Sequence, residues 1–127
     1  MKTWEKGILI IVSGYCAMHL AIVMQIVPHH IVWGGKIDSI EKLFVLEGFA
    51  LATMLFLGTV LAMKNKIIKP IFTDKVIKRI LLVFSVFFIL NTLGNLMAET
   101  NIEKVQAVIT LYLAFALFKS SKQIETL

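Results

Sequence analysis

The chain has 127 residues, of which 58% are hydrophobic and 17% are charged, and its formal net charge is +5. Soluble domains are about 45–50% apolar, so this composition indicates a membrane protein and leaves no room for a separate soluble domain. The single cysteine, Cys16, excludes an intrachain disulfide, a CxxC redox pair and a cysteine metal cluster. We therefore expect residues 1–127 to form one transmembrane domain without a cofactor.

Four apolar runs in chain order predict four membrane-spanning helices. They cover about residues 7–27, 40–63, 78–98 and 102–118. A bilayer core about 30 Å thick takes about 20 helical residues to cross, so the first three runs are long enough. The fourth is shorter, but Lys104 and Lys119 can reach toward the two interfaces, and we count it as a span. The predicted fold is all-α, an integral membrane four-helix bundle.

The first apolar run resembles a signal peptide only at its basic start, at Lys2 and Lys6. It continues well beyond the usual apolar stretch of about 7 to 15 residues, and no small-x-small cleavage pattern follows it. We therefore interpret this run as a retained helix.

The distribution of basic residues predicts the orientation, because Lys and Arg in short loops stay on the cytoplasmic side. With four spans, all but three of the 13 basic residues fall on one side. That side carries Lys2, Lys6, Lys64, Lys66, Lys69, Lys75, Lys78, Arg79, Lys119 and Lys122, and the other carries Lys36, Lys42 and Lys104. We therefore expect both termini in the cytoplasm of a multi-pass protein, with a bacterial cytoplasmic membrane as the expected location.

Local signals indicate where helices begin and end. Pro28 is expected to end the first helix. Asp38 with Glu41, and Thr100 with Glu103, have the spacing of capping boxes before the second and fourth helices.

The connection from residue 64 to residue 79 alternates Lys with Ile, Phe and Val around Pro70, which suits an amphipathic segment on anionic headgroups. It can serve for lipid sensing or partner docking, or simply as a basic loop that sets the topology.

Small residues in every apolar run let helix backbones approach closely. The candidates are Ala17, Ala21, Gly48, Ala52, Gly58, Ala62, Gly94, Ala98, Ala114 and Ala116. This spacing supports a compact bundle and, equally, a homodimer.

Polar residues at membrane depth are the main candidates for function, because ionisable groups are costly there. Glu47 and His19 each lie about 13 Å below the outer ends of their helices, and Asn91 lies about 12 Å down at a rise of about 1.5 Å per residue. Asn95 is nearer the surface on the face of Asn91, and Thr110 is about 15 Å down. All four helices thus contribute polar groups to one layer.

We expect these residues to form a ligand- or proton-binding pocket in the outer half of the membrane. Its predicted members are Glu47, His19, Asn91, Asn95, Thr110 and Tyr15, which lies one turn from His19. Burial favours a protonated Glu47 unless His19 is close, in which case an ion pair or a shared proton becomes available. The alternative is that Asn91, Asn95 and Thr110 join helices through hydrogen bonds worth about 1 kcal/mol each.

A second polar cluster is predicted outside the membrane, where His29 and His30 precede the acidic residues Asp38, Glu41, Glu99 and Glu103. Imidazole and carboxylate suit zinc, but adjacent histidines in an extended loop point apart, so we expect an interfacial loop and keep both only as weak metal candidates. Nucleic-acid binding is not expected, because the basic residues account for topology.

Three classes of function remain open. The first is binding or transport of a small cationic or amphipathic molecule or a lipid. The second is an accessory or immunity-type protein that acts through contacts with another membrane protein. The third is a membrane enzyme on a lipid or isoprenoid, with Glu47 as acid or base beside His19. No nucleophile, metal motif or cofactor fingerprint supports the enzyme, so we favour a protein without catalytic activity.

Overall fold

Four α-helices form the regular structure of the residues that the computed structural model describes, which are 1–24, 39–98 and 101–124. They are α1 (Thr3–Val23), α2 (Ile40–Lys64), α3 (Asp74–Met97) and α4 (Asn101–Lys122). Each is long and apolar enough to cross a membrane. The prediction of an all-α chain with four such helices is confirmed.

The helix bounds differ from the predicted spans by four residues at the start of α1, at the start of α3 and at the end of α4. Helix α1 already begins at Thr3, while residues 25–27 of the predicted first span lie outside the described residues. Helix α4 has 22 residues, so the fourth helix is as long as a span requires. The predicted first span begins too late and the predicted fourth span ends too early, because polar residues in these terminal turns interrupt the apolar pattern.

The connection between α2 and α3 is shorter than predicted. Helix α3 begins at Asp74, where the Thr73 hydroxyl accepts a hydrogen bond from the Val76 amide at 3.3 Å. Residues 75–79 are therefore helical, and the predicted bounds of the connection, residues 64–79, are wrong. Only residues 65–73 connect the helices, and Lys66 turns the chain with a φ of 60°.

The cap of α2 also differs by one residue from the prediction. Ser39 is the N-cap, and its hydroxyl accepts a hydrogen bond from the Lys42 amide at 3.1 Å. Serine and aspartate are comparably good N-cap residues. The residue that caps α2 is therefore the one that lies three positions before the bonded Lys42 amide, which is Ser39. Asp38 and Thr100, the two predicted caps, lie outside the described residues, as does Pro28.

The helices pack as two hairpins, α1 with α2 and α3 with α4, and the hairpins contact each other less extensively. We call the end with Thr3, Lys64, Asp74 and Lys122 the termini end and the opposite end the far end. The main hydrophobic core lies toward the termini end and contains the fully buried residues Ile8, Leu57, Leu61, Leu81 and Leu117. At the far end a small cluster of Ile22 and Leu43 joins α1 to α2. Side chains therefore fill the space between the hairpins mainly at the termini end.

The small residues expected between helices divide into two groups. Ala114 and Ala116 are buried, and a Cβ added at Gly58 would lie 3.6 Å from Val12 Cγ1. A Cβ added at Gly48 or Gly94 would meet nothing within 4 Å. Gly48 and Gly94 are thus not needed for close approach within the chain, and a homodimer through such residues stays a prediction.

A polar cluster joins three chain segments at the termini end. Glu5 Oε2 accepts hydrogen bonds from Lys64 Nζ at 2.7 Å, Asn65 Nδ2 at 3.1 Å and Ser120 Oγ at 2.9 Å. Lys64 Nζ also donates to Gln123 Oε1 at 2.9 Å. The Glu5 and Lys64 side chains are 1% and 9% exposed. This termini-end cluster, made of Glu5, Lys64, Asn65, Ser120 and Gln123, ties α1 and α2 to α4.

A close contact between α1 and α4 lies beside that cluster. The Tyr112 hydroxyl donates a hydrogen bond to the Trp4 carbonyl at 2.7 Å, and Lys119 Nζ lies 5.1 Å from the centre of the Trp4 ring. A Cβ added at Gly7 would lie 2.5 Å from the Tyr112 hydroxyl oxygen. Glycine at position 7 therefore leaves room for the tyrosine hydroxyl.

Gly7→Ala is expected to lower the free energy of unfolding by about 1 kcal/mol, because Tyr112 must move and lose its hydrogen bond. Gly48→Ala is the matched control in α2, where open space and helix propensity predict a gain of up to about 1 kcal/mol. Melting temperatures in detergent compare the two variants. In the Tyr112→Phe background, Gly7→Ala should cost nothing further, and an equal cost in both backgrounds would contradict this explanation.

Candidate functional site

A cavity of about 980 Å³ lies between the two hairpins toward the far end. All four helices line it, with Tyr15, Met18 and His19 from α1; Leu46, Phe49, Ala50, Thr53 and Met54 from α2; Phe87, Phe88, Asn91, Gly94, Asn95, Met97 and Ala98 from α3 and its end; and Glu103, Gln106 and Thr110 from α4. This volume is at the upper end of the range of about 300–1,000 Å³ that small-molecule sites occupy. The cavity is large enough for an organic ligand.

The structure places the six predicted site residues at or next to this cavity. Tyr15, His19, Asn91, Asn95 and Thr110 all line it. Glu47 is not among the lining residues; it is fully buried and hydrogen-bonded to His19, which does line the cavity. Their role in binding a ligand or a proton stays a prediction.

Glu47 and His19 form a buried pair between α1 and α2. His19 Nδ1 and Glu47 Oε2 share a hydrogen bond, and both residues are buried. Matching depth on adjacent antiparallel helices brings the two side chains together, although they are 28 residues apart in sequence. Either the imidazole or the carboxyl group can hold the proton of this bond. The pair therefore joins α1 to α2 beside the cavity.

Tyr15 adds an available hydroxyl to the same wall. Its ring stacks on that of His19, with centroids 6.2 Å apart and an angle of 23° between the ring planes. The Tyr15 hydroxyl oxygen is buried and has no hydrogen-bond partner within the described ranges 1–24, 39–98 and 101–124. Leaving such a group unsatisfied costs about 1–3 kcal/mol. A ligand in the cavity that bonds to this hydroxyl would recover that cost.

Thr110 is engaged in contacts between α3 and α4. Its hydroxyl oxygen lies 2.9 Å from that of Thr92 and 3.1 Å from the Gln106 carbonyl oxygen. Thr92 in turn donates to the Phe88 carbonyl at 2.8 Å. These contacts favour the alternative interpretation for Thr110, a hydrogen bond that joins helices. Asn91 and Asn95, one turn apart on α3, are half-buried and face the cavity.

Glu103 and Gln106 are cavity residues that sequence reasoning missed. Glu103 is buried and lines the cavity, although the sequence suggested a role at the start of α4. The spacing of Glu103, Gln106 and Thr110 at i, i+3 and i+7 places all three on one helical face. That spacing could have predicted that Glu103 and Gln106 line the cavity together with Thr110. It was overlooked because Thr100 and Glu103 have the spacing of a capping box, which gave Glu103 a different explanation.

The predicted metal candidates cannot be assigned from the described part of the chain. His29 and His30 lie outside it, as do Asp38 and Glu99. Among the described residues, no group of three or more His, Cys, Asp or Glu side chains could hold a metal ion.

The described lining of the cavity contains the Glu103 carboxyl group and the His19 imidazole, and neither Lys nor Arg. Most of the lining is apolar or aromatic, which suits a ligand with both a polar and an apolar part.

Searches of protein-family models, curated proteins and solved structures find no match for this chain.

Proposed function

We propose that this chain is a multi-pass membrane protein that binds, or carries across the membrane, a small cationic or amphipathic molecule or a lipid in the cavity between its hairpins. The observation that carries the proposal is the buried hydrogen bond between His19 and Glu47 at the wall of a cavity lined by four helices. Polar groups are costly at membrane depth, so their position beside a cavity supports a function in ligand binding.

The proposed orientation places the termini end in the cytoplasm and the cavity in the outer half of the bilayer. It is supported by the basic residues, which cluster at both termini and around the α2–α3 connection. The termini-end cluster, with buried Glu5 and Lys64, would then lie at the inner membrane surface. A ligand would reach the cavity from the outer side of the membrane.

The proposed mechanism couples the ligand to a proton. Tyr15 and Glu47 contact His19, and Asn91 and Asn95 from α3 and Glu103 from α4 line the same cavity. A cation in the cavity and a second proton on the His19–Glu47 pair repel each other in this low-dielectric site. Binding of a cation therefore releases a proton, and the affinity rises with pH.

Glu47→Gln should abolish the pH dependence of ligand binding that the His19–Glu47 pair confers, because it removes the carboxyl group of the pair. The measurement is the melting temperature of the detergent-purified protein from pH 5 to pH 8 with tetraphenylphosphonium, dodecylamine and phosphatidylglycerol. A ligand at 100 times its Kd stabilises the folded state by about 2.7 kcal/mol, which is readily measured. The wild type should respond more strongly at pH 8 than at pH 5.

Glu41→Gln is the matched control, because it removes an exposed carboxylate from the same helix. It should respond to ligand and pH as the wild type does. If the wild type and Glu47→Gln melt alike and no ligand shifts either protein, Glu47 only joins helices, and the proposed function is wrong.

A further inference from the structure

The seam between α2 and α3 is closed by aromatic rings toward the termini end. The centroid of Phe56 on α2 lies 6.2 Å from that of Phe84 on α3 and 6.4 Å from that of Phe72 in the connection. Phe84 in turn contacts Phe88, which is buried. Between α2 and α3, these rings border the cavity on its side nearer the termini end.

Farther toward the far end, residues on α2 and α3 that line the cavity are also exposed on the outside of the bundle. Phe49 on α2 and Phe87 on α3 line the cavity and are nevertheless 66% and 39% exposed. Gly94 lies two turns from Phe87 on the same face and also lines the cavity. A Cβ at Gly94 would meet nothing within 4 Å. The cavity therefore opens sideways, between α2 and α3.

The depth of this side opening identifies what it faces in a membrane. Phe49 lies nine residues from the start of α2 and Phe87 ten from the end of α3, which is about 14–15 Å at about 1.5 Å per residue. A hydrocarbon core is about 30 Å thick, so both rings lie near its middle. The opening would face acyl chains and not water.

The inner wall has the complementary polar groups. The Tyr15 hydroxyl can accept a hydrogen bond, the Asn91 amide can donate or accept one, and Glu103 supplies a carboxyl group. An ammonium group has three donors and a charge opposite to that of a carboxylate. A ligand that fits both parts has an amine head and one alkyl chain.

We infer that the ligand is a single-chain amphipathic amine, whose head lies in the part of the cavity that Tyr15, Asn91 and Glu103 line and whose chain leaves the cavity between Phe49 and Phe87. This inference rests on the proposed function and names the ligand class and its route.

The test measures binding of radiolabelled dodecylamine to the protein in lipid nanodiscs, with empty nanodiscs as the blank. Gly94→Leu places a side chain in the opening and should weaken binding at least tenfold. Gly48→Leu is the matched control, because it adds the same side chain to open space on α2, away from the cavity lining. It should bind dodecylamine as the wild type does.

A second variant keeps the test decisive if Gly94→Leu does not fold. Tyr15→Phe removes only a buried hydroxyl without a partner in the described residues, so it should melt at or above the wild-type temperature. It should weaken dodecylamine binding about tenfold, the loss of one charge-assisted hydrogen bond.

Unchanged binding in both Gly94→Leu and Tyr15→Phe would overturn the inference, as would a wild type that binds no more dodecylamine than empty nanodiscs. The proposed function fails separately, when Glu47→Gln keeps the pH dependence or no cation or lipid binds at all. Loss of dodecylamine binding in Gly94→Leu with an unchanged pH response in Glu47→Gln would support the amine site and refute the proton coupling.

Discussion

Replacing Glu5 with alanine is expected to lower the free energy of unfolding by about 3–5 kcal/mol, the loss typical of breaking a buried ion pair from one side. The variant leaves the Lys64 ammonium group nearly buried without its carboxylate, and it removes the common acceptor of Asn65 and Ser120. Thermal melting and urea unfolding of the detergent-purified protein measure the loss.

Two further variants separate the pair from other effects. Glu41→Ala removes an exposed acidic residue from α2 and should cost less than about 1 kcal/mol. The double variant Glu5→Leu/Lys64→Met replaces both charges with apolar side chains of similar size and should recover most of the loss. A double variant as unstable as Glu5→Ala would show that the ion pair is not the cause.

His19→Ala is expected to lower the free energy of unfolding by about 3 kcal/mol at pH 8, because it removes a partner of the fully buried Glu47 carboxyl group. Melting temperatures of the detergent-purified proteins measure the loss.

His19→Gln is the matched variant, because its amide group can still donate a hydrogen bond to Glu47. It should melt between the wild type and His19→Ala. If His19→Gln is as unstable as His19→Ala, the hydrogen bond between His19 and Glu47 is not the cause of the loss.

The sequence predicted the four helices because length and hydrophobicity alone decide whether a segment can cross a membrane. The errors are at the ends of helices, where those criteria do not apply. Ser39 and Asp38 are both good caps, and only the register of the Lys42 amide distinguishes them. Residues 75–79 are rich in Lys, which is compatible with a helix as well as with a loop.

The candidate site could be predicted only as far as depth could be counted. Counting from the helix ends placed His19 and Glu47 at one level, and their hydrogen bond has that geometry. Depth cannot show which side of a helix faces which neighbour, so Thr92 as the partner of Thr110 could not be predicted. Glu5 was missed because the first apolar run was counted from Gly7, beyond the turn in which Glu5 meets Lys64.

The uneven packing of the two hairpins has a mechanical consequence. Most of the shared core and the termini-end cluster lie on one side of the cavity, whereas at the far end each helix mainly contacts its own hairpin partner, as Ile22 contacts Leu43. A rotation of one hairpin about the termini end would widen the far end while leaving most buried apolar contacts in place. The termini end can thus act as a hinge. The free energy of opening the cavity can then be small while the free energy of unfolding stays large.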